Sequence, residues 1–127
     1  MNKRESYLLE ALLELATVHP TPLTVAELGR RRALPVAFLA RLLAAAARHG
    51  IVATSRGPHG GIALARDPAA LPLAIVLETV LREPAGSPAT RWLARELART
   101  RDALLADLTL ADLAARERET AAFSFAI

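Results

Sequence analysis

The sequence predicts a mostly α-helical fold that carries one small β-hairpin, and three observations lead there. Ala and Leu dominate a composition that is 53% hydrophobic but only 4% aromatic, which suits helices packed closely through small residues and leaves little for sheet. Apolar residues recur at helical spacing along most of the chain. The one short run of β-type residues is interrupted by a turn-rich tip, Ser55-Arg56-Gly57-Pro58-His59-Gly60-Gly61, as a hairpin requires.

The elements follow in order. Residues 5–17 place Leu8, Leu9, Leu12, Leu13, Leu15 and Ala16 on one stripe with Glu10 and Glu14 outside, a first helix that must end before His19-Pro20-Thr21-Pro22. Thr24 stands three residues ahead of Glu27, the spacing of a capping box, and opens a short helix, VAELGRRR, with Val25, Ala26 and Leu28 inward. After a turn at Arg32-Ala33-Leu34, Pro35 suits the first turn of a third helix that runs to about His49 and stops at Gly50. Its core positions are Phe38, Leu39, Leu42, Leu43 and Ala46, which leaves Ala37, Ala40, Arg41, Ala44, Ala45 and Arg48 outside or at the margin. Ile51-Val52-Ala53 and Ile62-Ala63-Leu64 form the hairpin.

A fourth helix covers Leu73 to Leu81, and a linker rich in Pro and Gly spans residues 83–88. A long helix from about Ala89 to Leu105 follows, with Leu93, Leu97, Thr100, Leu104 and then Asp107 or Leu108 at spacings that alternate between four and three up to Asp107, a stripe that resembles the seam of a helix pair. Thr109 to Asp112 opens one more helix, which is expected to fade in the segment ERETAAFSFAI. The domain division is therefore residues 1–82, a linker at 83–88, and residues 89–127 as a pairing helix with a tail.

Composition excludes several classes of function. With no Cys there can be no disulfide, thiolate metal site or cysteine-ligated cluster. His19, His49 and His59 are scattered without carboxylates at ligand spacing, so no metal or other cofactor is expected. No paired catalytic carboxylates or Ser-His-Asp set appears, and the glycines at 57–61 lead into neither a helix nor Lys-Ser/Thr, so neither an enzyme nor a phosphate loop is implied. No apolar run is long enough to span a membrane, and a cytoplasmic location is expected.

Charge is the more telling feature. Up to Arg82 there are ten Lys and Arg against six Asp and Glu, and beyond it six against seven. Every charged residue from Arg30 to Arg66 is an arginine. A helix-turn-helix followed by a basic β-wing fits duplex DNA, and unopposed arginines attract phosphate. Arg41, on the outer face of the third helix, is placed to reach guanine in a major groove, or else is a solvated surface residue. Arg56 and His59 lie at the wing, where Gly57 and Gly60 allow the backbone a close approach to a phosphate or minor groove; a plain hairpin would need those glycines too. Arg30, Arg31 and Arg32 either clamp phosphates or complement the dipole at their helix end. The Thr24 hydroxyl either caps the helix or touches phosphate. This reading requires the guanidinium groups to be exposed and unopposed by carboxylates.

The stretch from Thr24 through Val80, above all Gly50-Ile51-Val52, the tip Ser55 to Gly61, and Ile62-Ala63-Leu64-Ala65, resembles the Rrf-two (Rrf2) family of bacterial winged-helix transcription regulators. Tyr7 and Ala11 of the first helix and the Thr-Leu-Ala-Asp-Leu run at Thr109 to Leu113 extend the likeness. The resemblance implies a homodimer paired through the long helix, here through Trp92, Leu93, Leu97, Leu104 and Leu108, and double-stranded DNA as partner, bound at partly palindromic operators and usually repressed. Two features depart from the family. Cluster-binding members carry three Cys in the region matching Arg82 to Thr100, and others bind a cluster through a carboxylate where Ser6 stands; neither is present. The resemblance also places polar readers where Ala37 and Ala40 stand. The rival expectation is accordingly a helical interaction module that keeps the fold but has lost sequence-specific reading. The effector is unknown: a small molecule near the linker, a partner protein, or none.

Overall fold

The computed structural model describes residues 1–81 and 84–126, with side chains up to residue 121 outside that gap. Its elements are α1 (Lys3–Val18), α2 (Val25–Arg32), α3 (Val36–Arg48), β1 (Val52–Ser55), β2 (Gly61–Leu64), α4 (Leu73–Glu78), α5 (Pro88–Leu105) and α6 (Leu110–Ala126). A single 3-10 turn, Pro68–Ala70, leads into α4. None of these helices is long and apolar enough to cross a membrane.

One core gathers the first four helices around the hairpin base. Leu8, Leu12 and Leu15 of α1, Leu28 of α2, Leu39, Leu42 and Leu43 of α3, and Val76 of α4 are all essentially inaccessible, together with Ile51 and Leu71. The stripes read from sequence are the faces that meet here, since burial of apolar area drives the packing. Two positions are exceptions: Ala26 faces out, with Val25 only half-buried, and Leu81 is exposed because α4 ends at Glu78, short of the expected Leu81.

Antiparallel β1 and β2 pair Val52 with Leu64 and Ser55 with Gly61. Leu23, just ahead of α2, adds a third short rung: its N–H donates to the Ile62 carbonyl at 2.8 Å and its carbonyl accepts from the Ile62 N–H at 2.7 Å. That rung anchors a hairpin that would be marginal alone. A second isolated bridge joins Pro72 to Thr109, so the α5–α6 turn is hydrogen-bonded back to the entry of α4.

The C-terminal part departs from expectation. Thr109 and Asp112 form a reciprocal cap, Thr109 N–H to the carboxylate at 2.9 Å and Asp112 N–H to the hydroxyl at 3.3 Å. From there α6 continues to Ala126 instead of fading. Its Ala, Glu and Arg content sustains helix without a strong apolar stripe, and it packs along α1. Leu110 is fully buried in the same core as Leu8. By contrast α5 has no buried residue. Of the linker and boundary residues, Arg82 and Glu83 lie outside the described residues, as does Ile127 at the end of the tail.

Candidate nucleic-acid interface

The α2–turn–α3 unit is held by local chemistry at each corner. Thr24 caps α2: its hydroxyl accepts from the Glu27 N–H at 3.1 Å, and Glu27 Oε1 accepts from the Thr24 N–H at 3.3 Å and from its hydroxyl at 3.1 Å. The capping role is therefore the one on display, with the Thr24 hydroxyl already committed in both directions. These bonds, the backbone one foremost, hold the Glu27 carboxyl below its ordinary range. At the other end Ala33 takes the left-handed conformation, φ 53°, and the Leu34 N–H closes back on the Gly29 carbonyl at 2.9 Å. A Cβ on Gly29 would lie 2.8 Å from Val36 Cγ2, so only glycine lets α3 begin so close to α2. The rings of Phe38 and Tyr7 of α1 pack nearly perpendicular, centroids 5.7 Å apart, and with the buried leucines of α3 set the rotation of that helix.

That rotation leaves Val36, Ala37, Ala40, Arg41, Ala44 and Arg48 exposed, while Leu39, Leu42, Leu43 and Ala46 are buried. The helix closes in a Schellman motif. Gly50 at φ 73° donates to the Ala47 carbonyl at 3.1 Å, and Ile51 donates to Ala46 at 2.9 Å. The chain is thereby handed straight into β1. At the tip, Gly57 (φ 99°) turns the chain and its carbonyl accepts from the Gly60 N–H at 3.0 Å. Arg56, Gly57 and His59 are exposed, and Gly60 is half-buried against the Ser55 backbone.

The arginines separate into two groups. Arg30, Arg41, Arg48, Arg56 and Arg66 are exposed and, among the described residues, form no ion pair within 4 Å, although Arg30 acts through space on Glu27. Arg32 differs from expectation. Its Nε lies 2.9 Å from Glu14, and its Nη1 lies 2.9 Å from Glu10 and 2.6 Å from Glu117. Only 15% of its side chain is accessible. It is a tie between α2, α1 and α6 and is withdrawn from any phosphate surface. Arg31 is intermediate, 3.2 Å from Glu14 and partly exposed. The Glu117 carboxyl is lowered chiefly by its bond from Arg32, against some burial. For Glu14 burial pushes upward, but the bonds from Arg32 and Arg31 outweigh it and the net shift is downward. Arg32 itself is raised, first by Glu117.

A different surface runs along α5, where Trp92, Leu93, Leu97 and Leu104 are half or more exposed, and continues to Leu108 in the following turn. Between this helix, the start of α1 and the end of α4 lies a cavity of about 680 Å³ whose polar groups come from Asn2, Glu5, Arg95 and Arg101. Glu5, 5% accessible, is held by Arg101 Nη1 at 2.5 Å, and the buried Arg101 Nε has no hydrogen-bond partner among the described residues. This is the region where the resemblance would put cluster cysteines. Two guanidinium groups and one already paired carboxylate stand there, the chain has no Cys, and no group of three His, Cys, Asp or Glu among the described residues is placed to hold a metal ion. The residues present do not fit an iron–sulfur cluster.

Two parts of this arrangement were invisible in the sequence: the Leu23 rung and the carboxylates around Arg32. A single bridge has no periodicity, and ion pairs between helices leave no spacing signal. Only the Glu-rich outer face of α1 hinted at a cationic neighbour.

Comparison with known proteins agrees with this geometry. The sequence profile of the Rrf2 family, described as an iron-dependent transcriptional regulator, matches residues 1–116. A protein of Azotobacter vinelandii named as an HTH-type transcriptional regulator, ORF2, is 33% identical over 75 residues, 58% of this chain and 46% of the relative. The HTH-type transcriptional regulator IscR of Yersinia enterocolitica is 28% identical over 82 residues, 63% of this chain and 49% of its own. The chain thus spans about half the length of the curated relatives it matches. The solved structure of T. potens IscR superposes with a TM-score of 0.78 over 94% of this chain and 89% of that one, at 22% identity, a likeness of fold. Both curated relatives are named as regulators of transcription. With a family match that covers nearly the whole chain, a winged helix and a turn-rich wing, the chain belongs to the Rrf2 family of transcriptional regulators.

Proposed function

We propose that this chain is a DNA-binding regulator, a repressor by operator occupancy, that acts as a homodimer on a partly palindromic site and does so without an iron–sulfur cluster. The observation that carries it is the pair of exposed arginines, Arg41 on the open face of α3 and Arg56 at the wing, in a stretch of chain that contains no acidic residue from Arg30 to Arg66. Arg41 is the base reader, and Ala37 and Ala40 line its groove. Arg56, Gly57, His59 and Gly60 approach the backbone or minor groove, and Arg30 with Arg31 adds phosphate contacts. Arg32 has no part in this set. Thr24 acts only by capping α2.

Pairing of two α5 helices through Trp92, Leu93, Leu97, Leu104 and Leu108 would cover the apolar surface and hold two α3 helices about 34 Å apart, one duplex turn. Electrophoretic shift of genomic fragments at graded salt tests the reading. Log-linear weakening with salt, worth several counterions, and preference among fragments are expected. Binding that is absent or indifferent to salt would instead favour the interaction module suggested by the alanines of α3.

A further inference from the structure

We infer that α3 reads only two bases directly: guanine through Arg41, and thymine through the methyl groups of Ala37, Ala40 and Ala44. The inference rests on the DNA-binding reading and narrows it to a class of operator.

The argument is one of inventory. The helix is VAFLARLLAAAAR, and among its side chains the guanidinium is the only hydrogen-bonding group. Its exposed residues are Val36, Ala37, Ala40, Arg41, Ala44 and Arg48, so everything it can offer to a groove is a methyl group or an arginine. Arg48 is the last residue of the helix, about 10 Å farther along the axis than Arg41 and about 6 Å beyond Ala44, past the part that enters a groove. Adenine is read by a side chain that both donates and accepts, Asn or Gln, and cytosine by an acceptor, Asp or Glu. None of these is present in α3. Guanine O6 and N7 take two N–H donors from one arginine, and the thymine C5 methyl takes an apolar contact. Adenine and cytosine are then specified only as the partners of thymine and guanine on the other strand. Short side chains also let the helix backbone approach the base edges, which brings the alanine methyls within contact of the thymine methyls. The feature that looks like lost reading is on this view a two-letter code.

The test uses the whole chain and changes only the DNA, so folding is not at issue. Duplexes are selected from a random library at fixed salt, and thymines in the enriched sites are then replaced one at a time by uracil, which lacks only the C5 methyl. Half-sites with one guanine and neighbouring thymines are expected, and affinity should fall about four-fold per methyl removed at a contacted thymine. Arg41→Ala should abolish the guanine preference and leave the uracil effect in place. Because the methyl lies in the major groove, A·T preference contributed by the wing in the minor groove would not respond to uracil. Salt-dependent binding with no loss on any uracil replacement overturns the inference and leaves the regulator reading standing. Failure to enrich any duplex at any salt overturns that reading and the inference with it.

Discussion

Arg32 and Glu117, 85 positions apart, meet as a two-pronged ion pair, with Nη1 and Nη2 of the guanidinium 2.6 and 2.9 Å from the two carboxylate oxygens. The same guanidinium binds Glu10 and Glu14 on α1. One side chain thus fastens the first helix of the helix-turn-helix to both the N-terminal helix and α6. Arginine suits the role because its planar fork serves several carboxylates at once, which an ammonium does less well.

Arg32→Ala should destabilise the fold by about 2 kcal/mol, between the values for exposed and buried ion pairs, because three carboxylates are left facing one another. Arg32→Lys keeps the charge and loses the fork, and should fall in between. Denaturant unfolding measures both. Since this guanidinium faces inward, the lysine variant should keep the wild-type salt dependence of DNA binding; a shallower slope would return Arg32 to the contact surface.

The same cluster sets an acid limit. Glu14 and Glu117 both titrate below the ordinary 4.5 in the folded protein. Depressed carboxyl groups add stability that is present above the unfolded value and is lost as pH falls through the folded one. Wild-type protein should therefore lose stability as pH drops below about 4.5, and Arg32→Ala should lose less over that interval. Denaturant unfolding of the two proteins at stepped pH compares the slopes; parallel curves would mean that the cluster adds nothing.

Two wing glycines should respond differently to alanine. At Gly61 (φ 150°) a Cβ would lie 2.6 Å from the Leu23 carbonyl oxygen, so the substitution pushes β2 off its third rung. At Gly57 (φ 99°) a Cβ meets nothing within 4 Å, and only the backbone conformation opposes it. Gly61→Ala should cost roughly 2–3 kcal/mol and Gly57→Ala about 1 kcal/mol. Thermal unfolding separates them, and equal costs would mean that the Leu23 rung does not hold the wing.

Much of this was legible in the sequence, for identifiable reasons. Thr24 with Glu27 and Gly50 with Ile51 act within a few residues, so the bounds of α2 and α3 follow from caps written locally. Leu39, Leu42 and Leu43 announce the buried face of α3, and its open face follows by subtraction. What escaped depends on residues far apart. Glu117 sits in a stretch without apolar periodicity, so neither the length of α6 nor its return to α1 could be read there. The fate of Arg32 hung on that return. Adjacent Arg30, Arg31 and Arg32 look equivalent as text, yet the 100° step between successive helical residues sends one into a nest of carboxylates and leaves Arg30 in solvent.

Arg56→Ala and Arg41→Ala should fail in different ways. A wing arginine that meets phosphate or minor groove contributes to every duplex, so Arg56→Ala should weaken binding uniformly and reduce the salt slope by about one ion. Arg41→Ala should relax preference at a single base pair, at about 1–3 kcal/mol. Competition binding with one selected site and its point variants distinguishes the patterns. If neither substitution alters affinity at low salt, the contact surface lies elsewhere.

The apolar face of α5 makes the last prediction. Leu97 and Leu104 are 64% and 74% exposed in the single chain, and the helix spans 18 residues, about 27 Å. Neither side chain supports the core, so Leu97→Glu combined with Leu104→Glu should leave the helicity of the folded chain unchanged, and its unfolding transition should lose only the part that depends on protein concentration. If two α5 helices pair, the four introduced carboxylates stand in the seam and the protein should become monomeric by light scattering. Affinity for a two-half-site operator should then fall at least a hundred-fold, because the second half-site is no longer presented at high effective concentration, while affinity for a single half-site stays the same. An unchanged mass would take α5 out of the interface and require another explanation for its leucines.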